Sequence, residues 1–177
     1  INKILEDFKK NVDMYILRHG KAEEHTKNIT SDAKRQLTET GIMELECIVK
    51  ALKHFDIKVD TIISSPLVRA KETADIMANH LWKKKKKIII WDELKPESNV
   101  LDIHKKLIKL PPDAKILLVG HEPNLTSLIS SIISPQCDVA INLKKGGFVS
   151  MSVNSSKSRI VGTLQSILTP KQLKLCK

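Results

Sequence analysis

The chain has few cysteines and no cysteine pair. Its three cysteines, Cys47, Cys137 and Cys176, lie far apart and form no CxxC motif. An odd number at such spacing argues against a disulfide framework and against a zinc ribbon. We therefore expect a reducing compartment and a cytoplasmic protein.

Long apolar runs and aromatic residues are scarce too. The longest apolar runs, 88–91 and 116–119, are far below the roughly 20 residues that cross a bilayer, so no membrane association is expected. Aromatic residues make up 3% of the chain, which leaves few platforms for base stacking. The lysine run at 83–87 is interpreted as a solvated loop before a strand, and no nucleic-acid partner is expected.

Arginine is scarce although the net charge is +10, because 26 of the 30 basic residues are lysines. Lysine is typical of solvated surfaces, whereas the planar guanidinium of arginine binds carboxylate or phosphate through two hydrogen bonds. The few arginines, Arg18, Arg35, Arg69 and Arg159, are therefore the basic residues to examine for a site.

Length and composition indicate one domain. With 177 residues, of which 41% are hydrophobic, the chain can build one well-packed core. We interpret 1–177 as a single domain, with residues 1–11 as a candidate N-terminal extension. The oligomeric state is not defined by the sequence.

Short apolar runs alternate with segments of helical periodicity, a pattern typical of an α/β fold with a parallel sheet. The predicted strands cover 12–17, 59–63, 88–91 and 115–119. Thr38 is the predicted cap of the first long helix, and Ser65 with Pro66 is predicted to start the second. After Val139, two turn signals, at 145–147 and 154–157, predict strands that join the sheet edge antiparallel. The expected architecture is a three-layer α/β/α sandwich with a mostly parallel central sheet and antiparallel C-terminal edge strands.

Chemically active side chains follow the ends of these strands. Arg18 and His19 come after the first strand, Arg69 shortly after the second, Glu93 after the third and His121 after the fourth. Open parallel sheets bind ligands beyond the carboxyl ends of their strands, so these residues are expected to meet at one edge. Several cationic donors beside two helix N-termini suit a phosphoryl group. The sequence therefore predicts a phosphoryl-transfer site.

Metal and nucleotide chemistry find no support in the motifs. The histidines are far apart, the neighbouring arginines would repel a cation, and no HExxH is present. Neither GxGxxG nor GxxxxGK[ST] occurs. We expect no metal and no cofactor.

Three motifs carry a family resemblance. In order and spacing, LRHG at 17–20, SSPLVRAKETA at 64–74 and VGHEP at 119–123 resemble the histidine phosphatase (phosphoglycerate mutase-like) superfamily. RQLTETG at 35–41 and ELKP at 93–96 resemble its small SixA-type branch, whose members dephosphorylate phosphohistidine on signalling proteins. That branch commonly has proline where this chain has Gln36.

The resemblance implies a phosphatase in which His19 accepts the phosphoryl group. Arg18, Arg69 and His121 would form the phosphate pocket, and Arg35 is a further candidate for substrate binding. His19 must attack as the neutral imidazole, so we expect its other ring N–H to bind a backbone carbonyl. Glu93 is the candidate general acid, since an alkoxide leaving group needs a proton.

The expected substrate is phosphohistidine on a signalling or phosphotransfer protein. Only about twenty residues separate Leu94 from the next strand, which leaves no long insertion to enclose a small molecule. Two alternatives stay open. One is a small-molecule phosphomonoester phosphatase or phosphomutase of the same superfamily, and the other is a non-catalytic module that binds phosphate or nucleic acid.

Overall fold

The computed structural model describes residues 10–24, 31–83, 87–134, 136, 139–155 and 160–175. The predictions made for residues 1–9, for the middle of the lysine run at 84–86 and for the turn residues 156–157 lie outside this part, as do Arg159, Cys137 and Cys176. Cys47 is a free, exposed cysteine. Within the described residues, no helix has the length and apolar character that crossing a bilayer requires.

Six strands and five α-helices make up the described chain. The strands are β1 (Lys10–Arg18), β2 (Thr61–Ser64), β3 (Ile89–Ile90), β4 (Lys115–Gly120), β5 (Phe148–Ser155) and β6 (Ile160–Leu168). The helices are α1 (Glu39–His54), α2 (Val68–Leu81), α3 (Val100–Leu107), α4 (Asn124–Ile133) and α5 (Pro170–Leu173). Two 3₁₀ turns, Asp32–Lys34 and Asp92–Leu94, precede α1 and α3.

The strands form one sheet in the order β3-β2-β4-β1-β5-β6. Strands β3, β2, β4 and β1 run parallel to one another, whereas β5 and β6 pair antiparallel at the β1 side. The predicted mostly parallel sheet with antiparallel C-terminal edge strands is confirmed.

Side chains alternate between the two faces of β1, and each face carries its own core. Met14 and Ile16 pack in a cluster with residues of α3 and α4, whereas Tyr15 and Leu17 pack in a second cluster with residues of α1 and α2. This alternation follows from the two-residue period of a strand. The helices therefore cover both faces, as the predicted α/β/α sandwich requires.

Local sequence explains where the helices begin, with one correction. The Thr38 side chain caps α1 by accepting a hydrogen bond from the Gly41 N–H, as predicted. The prediction that Ser65 caps the next helix is wrong, because α2 begins at Val68 and its N-cap is Leu67. The Ser65 hydroxyl instead contacts His121 at 2.9 Å.

A tight turn before β5 closes against the end of β1. Gly146 has a φ of +73°, which favours glycine, and its N–H lies 3.0 Å from the Arg18 carbonyl oxygen and 3.1 Å from that of His19. The turn at 145–147 was predicted correctly, but the predicted strand on its N-terminal side is absent from the described residues 139–144. That stretch is irregular and turns back towards Arg18.

Candidate active site

The register of three parallel strands brings His19, Ser65 and His121 together. Arg18 of β1 pairs with Gly120 of β4, so the histidine that follows each strand lies at the same edge of the sheet. The N–H of His19 donates to the Gly120 carbonyl at 3.1 Å, and the N–H of Ser65 donates to the Val119 carbonyl at 3.0 Å. The rings of His19 and His121 are 4.8 Å apart between centroids.

Two hydrogen bonds define the protonation state of His19. Its Nδ1 lies 2.7 Å from the Gly20 carbonyl oxygen, which can only accept, so Nδ1 carries the proton. On the other side, Nε of Arg69 donates to Nε2 of His19 at 3.3 Å, so Nε2 carries a lone pair. The expected hydrogen bond from one ring N–H to a backbone carbonyl is confirmed, and Nε2 is the unprotonated nitrogen, whose lone pair accepts from Arg69.

Electrostatics hold both site histidines neutral. Burial lowers the pKa of His19 to about 3 against the opposing effect of the Gly20 hydrogen bond, and the positive charges of Arg69 and Arg18 lower it further. Burial, followed by the effects of His19 and Arg69, lowers the pKa of His121 to about 3. A neutral imidazole is the form that can act as a nucleophile.

Two buried nitrogen atoms, one of Arg18 and one of His121, have no hydrogen-bond partner among the described residues. His121 bonds Ser65 through Nε2, while its Nδ1 is buried without a hydrogen-bond partner among the described residues. Nε of Arg18 is buried and likewise unpaired in this part of the chain, although Nη1 of Arg18 donates to the Leu143 carbonyl at 2.8 Å. A buried donor without a partner is costly, so an anion that accepts from Nε of Arg18 would stabilise the site.

Asp32 holds Arg69 in place. Nη2 of Arg69 donates to a carboxylate oxygen of Asp32 at 2.9 Å, and Nη1 donates to the Asp32 carbonyl at 2.7 Å. Nε of Arg69 donates to Nε2 of His19, and each Nη nitrogen carries a second N–H that can donate to an oxyanion. Burial acts to raise the pKa of the Asp32 carboxyl, but hydrogen bonds from Arg35 and Arg69 outweigh it and lower this pKa to about 2.

Two residues, Asp32 and Arg69, link Arg35 to His19 through hydrogen bonds. Its Nη1 donates to Asp32 at 2.7 Å and its Nε to the Glu23 carbonyl at 2.6 Å. Arg35 therefore contacts the carboxylate that orients Arg69. Direct binding of substrate by Arg35 stays a prediction.

Glu93 is engaged by a lysine of α3. Oε2 of Glu93 lies 2.6 Å from Nζ of Lys106, and Asn124 of α4 fixes the backbone by donating to the Glu93 carbonyl at 2.9 Å. Glu93 follows the third strand at the expected edge of the sheet. Its role as a general acid stays a prediction.

Sequence reasoning missed three supporting residues. Asp32 lies outside every quoted motif, Ser65 was interpreted as a helix cap, and Thr73 received no role. The Thr73 hydroxyl accepts from the Gly20 N–H at 3.1 Å and donates to the Arg69 carbonyl at 2.7 Å, so it ties the His19 loop to α2. The only available signal for Thr73 was its place in the 64–74 motif.

The described residues contain no cluster of side chains that would bind a metal ion. No group of three or more His, Cys, Asp or Glu residues suited to a metal ion occurs among these residues. The site is instead built from cationic and neutral donors around one imidazole, a set that suits an oxyanion.

The model of the histidine phosphatase superfamily (branch 1) matches residues 14–98. This match covers the strand-end motifs of His19 and Arg69 and the Glu93 segment, and the fold agrees with it. The matched segment comprises 85 of the 177 residues, and over it the chain is similar to this superfamily. Family and fold together support phosphatase activity.

Three known proteins illustrate the similarity. An uncharacterized protein of Picosynechococcus sp. is 28% identical over 82% of this chain and 88% of its own length. The Serine/threonine-protein phosphatase Pgam5, mitochondrial, of Drosophila mojavensis is 34% identical over 45% of this chain, a match that spans 28% of the relative's length. The structure of the protein histidine phosphatase SixA in complex with tungstate has a TM-score of 0.79 at 22% identity, covering 92% of this chain and 99% of that one.

The low pKa values of His19 and His121 predict that stability falls with acidity. Below pH 6.5 the unfolded chain binds protons at these histidines, while the folded protein does so only near pH 3. From pH 6 to pH 5 we expect each histidine to lower the free energy of unfolding by about 1 kcal/mol. Urea titrations at both pH values measure this. A double variant, His19→Asn with His121→Asn, should lose most of this dependence and keep the part that comes from His104, whose pKa burial also lowers; an unchanged slope in that variant would contradict the assignment.

The contact between Asp32 and Arg69 predicts that Asp32→Asn misplaces Arg69. We expect kcat/KM to fall by about tenfold to a hundredfold, because small displacements of positioned groups have effects of that size. Inhibition by inorganic phosphate should weaken in parallel. Asp56→Asn is the matched control, since Asp56 pairs with Lys58 at the surface. Wild-type kinetics in Asp32→Asn would show that this carboxylate does not position Arg69.

Proposed function

We propose that this protein is a phosphohistidine phosphatase that acts on a phosphorylated protein through a phosphohistidine formed at His19. The observation that carries the proposal is the unprotonated Nε2 of His19. It is maintained by the Nδ1 contact with Gly20 at 2.7 Å and faces a group of cationic donors. This combination provides a nucleophile and an oxyanion site in one place.

The proposed reaction has two displacements at phosphorus. Nε2 of His19 forms a bond to phosphorus as the bond from phosphorus to the substrate nitrogen breaks. Arg18, Arg69 and His121 donate hydrogen bonds to the phosphoryl oxygens, whose charge they stabilise. Water then attacks the phosphorus of phospho-His19, inorganic phosphate leaves, and the neutral imidazole is restored.

The surroundings of Glu93 favour a nitrogen leaving group over an alkoxide. An alkoxide has to receive a proton as it leaves, which requires a general acid in reach. Lys106 contacts the Glu93 carboxylate at 2.6 Å and directs it towards α3. A phosphohistidine protonated on its other ring nitrogen releases a neutral imidazole, so it depends less on such an acid.

The chain between the Glu93 turn and β4 supports a large substrate. This segment forms α3, whose Ile103 and Leu107 are buried in the core beneath the sheet. It therefore packs as part of a helical layer and does not extend over the site as a lid. A phosphomutase must retain its intermediate while it reorients, which requires enclosure that α3 does not provide.

The experiment is to trap the phosphoryl group on His19. Incubation with phosphoramidate as donor, an alkaline quench and peptide mass spectrometry should locate a phosphohistidine at residue 19 that is lost in acid. His19→Asn should abolish the adduct. His104→Asn is the matched control, because His104 is a half-buried histidine that contacts Ser131 at 2.9 Å elsewhere in the fold.

Kinetic assays of the same purified protein determine the substrate class. A phosphohistidine-bearing protein should give a higher kcat/KM than a panel of phosphoserine peptides and small phosphomonoesters. A clear preference for a small monoester would overturn the assigned substrate but leave the nucleophile intact. Turnover without an adduct at His19, or with an adduct at another residue, would overturn the mechanism.

A further inference from the structure

A basic pocket opens next to Arg18. It has a volume of about 610 Å³. Besides Arg18, five lysines line it, and we call it the lysine pocket: Lys21, Lys144, Lys145, Lys171 and Lys174. These lysines come from three distant segments, the loop after β1, the turn before β5 and helix α5, so the folded chain brings them together.

The lysine pocket carries more positive charge than its own carboxylate can neutralise. Glu44 is the one carboxylate among the described residues that line it. Nζ of Lys174 lies 2.5 Å from Oε1 of Glu44, and Nζ of Lys21 lies 3.3 Å from Oε2. Within the described chain, Lys144, Lys145 and Lys171 have no salt-bridge partner, and all three are exposed. Their charge is available to a bound molecule.

The lysine pocket is continuous with the phosphate site. Arg18 belongs to both, since it directly precedes His19 in the chain and also lines the pocket. The charge of Lys145 acts on His19 and contributes to its low pKa, after burial and the two arginines. A polypeptide whose phosphorylated residue reaches His19 would therefore lay neighbouring side chains in the pocket.

The lining chemistry favours carboxylates on a polypeptide. Lysine ammonium groups are mobile point charges, which attract several carboxylates without demanding one fixed geometry. Their aliphatic stems and Pro170 provide apolar surface for the stems of Asp and Glu side chains. None of the described residues that line the pocket is aromatic, so these residues offer no platform for stacking a nucleic-acid base.

We propose that the lysine pocket docks an acidic segment that flanks the phosphorylated residue of the protein substrate. The proposal rests on the proposed function and adds how the partner is recognised. Attraction between the lysines of the pocket and the carboxylates of the segment accelerates the encounter of protein and substrate, and it weakens as salt is added. Substrate selection should therefore depend on charge next to the phosphorylated residue.

The test compares two phosphohistidine peptides that differ only in their flanking residues, glutamates in one and glutamines in the other. At low salt, wild-type protein should show a kcat/KM about tenfold higher on the glutamate peptide, in line with electrostatic steering. The double variant Lys144→Glu with Lys171→Glu should lose this preference. It should retain wild-type activity on phosphoramidate, because neither lysine contacts the phosphate site.

A control variant and a binding assay separate the possible failures. Lys50→Glu with Lys109→Glu makes the same change in net charge at exposed lysines outside the pocket, and it should keep the preference. A fluorescent, unphosphorylated glutamate peptide should bind wild type more tightly than the Lys144/Lys171 variant, whether or not phosphohistidine is the substrate.

Three outcomes would overturn docking. One is equal kcat/KM for the two peptides, and another is a preference that survives the Lys144/Lys171 double variant. The third is that this variant loses affinity for phosphatidylserine vesicles or a single-stranded oligonucleotide while glutamate-peptide binding is unchanged. Failure to hydrolyse either phosphohistidine peptide would instead count against the proposed function, with the binding assay still deciding the docking site.

Discussion

The hydrogen bond between Nδ1 of His19 and the Gly20 carbonyl is the contact on which the rest of the site depends. It fixes the tautomer, and burial around the ring keeps the imidazole neutral, with Nε2 unprotonated. Gly20 lies close to α1, since a Cβ at this position would be 2.7 Å from Cδ1 of Leu45 and would require that side chain to shift. The packing of α1 on the sheet and the chemistry of His19 thus constrain the same few residues.

The site also requires that distant residues lie close together, and the sheet topology brings them together. His19, Ser65 and His121 are separated by many residues in the chain, but parallel strands with the register Arg18 to Gly120 end side by side. The arginines reach the same point by different routes. Arg18 ends β1 itself, whereas Arg69 comes from the first turn of α2 and is held by Asp32. The turn that contains Lys145 hydrogen-bonds to the carbonyls of Arg18 and His19 through the Gly146 N–H. This turn therefore lies next to both the phosphate site and the lysine pocket.

Sequence reasoning predicted the strands of the parallel sheet well and placed His19 and His121 at one edge of it, for a physical reason. A buried parallel strand requires a short apolar run, and the residue after it must lie at the ligand-binding edge, so His19 and His121 could be placed together. Asp32 could not be predicted, because a single aspartate in a loop gives no periodic or motif signal. The start of α2 was misplaced, since Ser65 and Pro66 resemble a helix start although the Ser65 hydroxyl is used by His121. The contact of Glu93 with Lys106 depends on how α3 packs, which local sequence does not specify.

The central claim is that His19 is neutral, with its proton on Nδ1 and its lone pair on Nε2 facing an oxyanion site. Nitrogen-15 NMR of histidine-labelled protein at pH 6 measures both ring nitrogens directly, with and without orthovanadate. We expect the neutral Nδ1–H tautomer of His19 in the free protein and a shift of its Nε2 resonance when vanadate binds. A protonated His19 ring at this pH, the opposite tautomer, or vanadate that binds without changing Nε2 would contradict the claim.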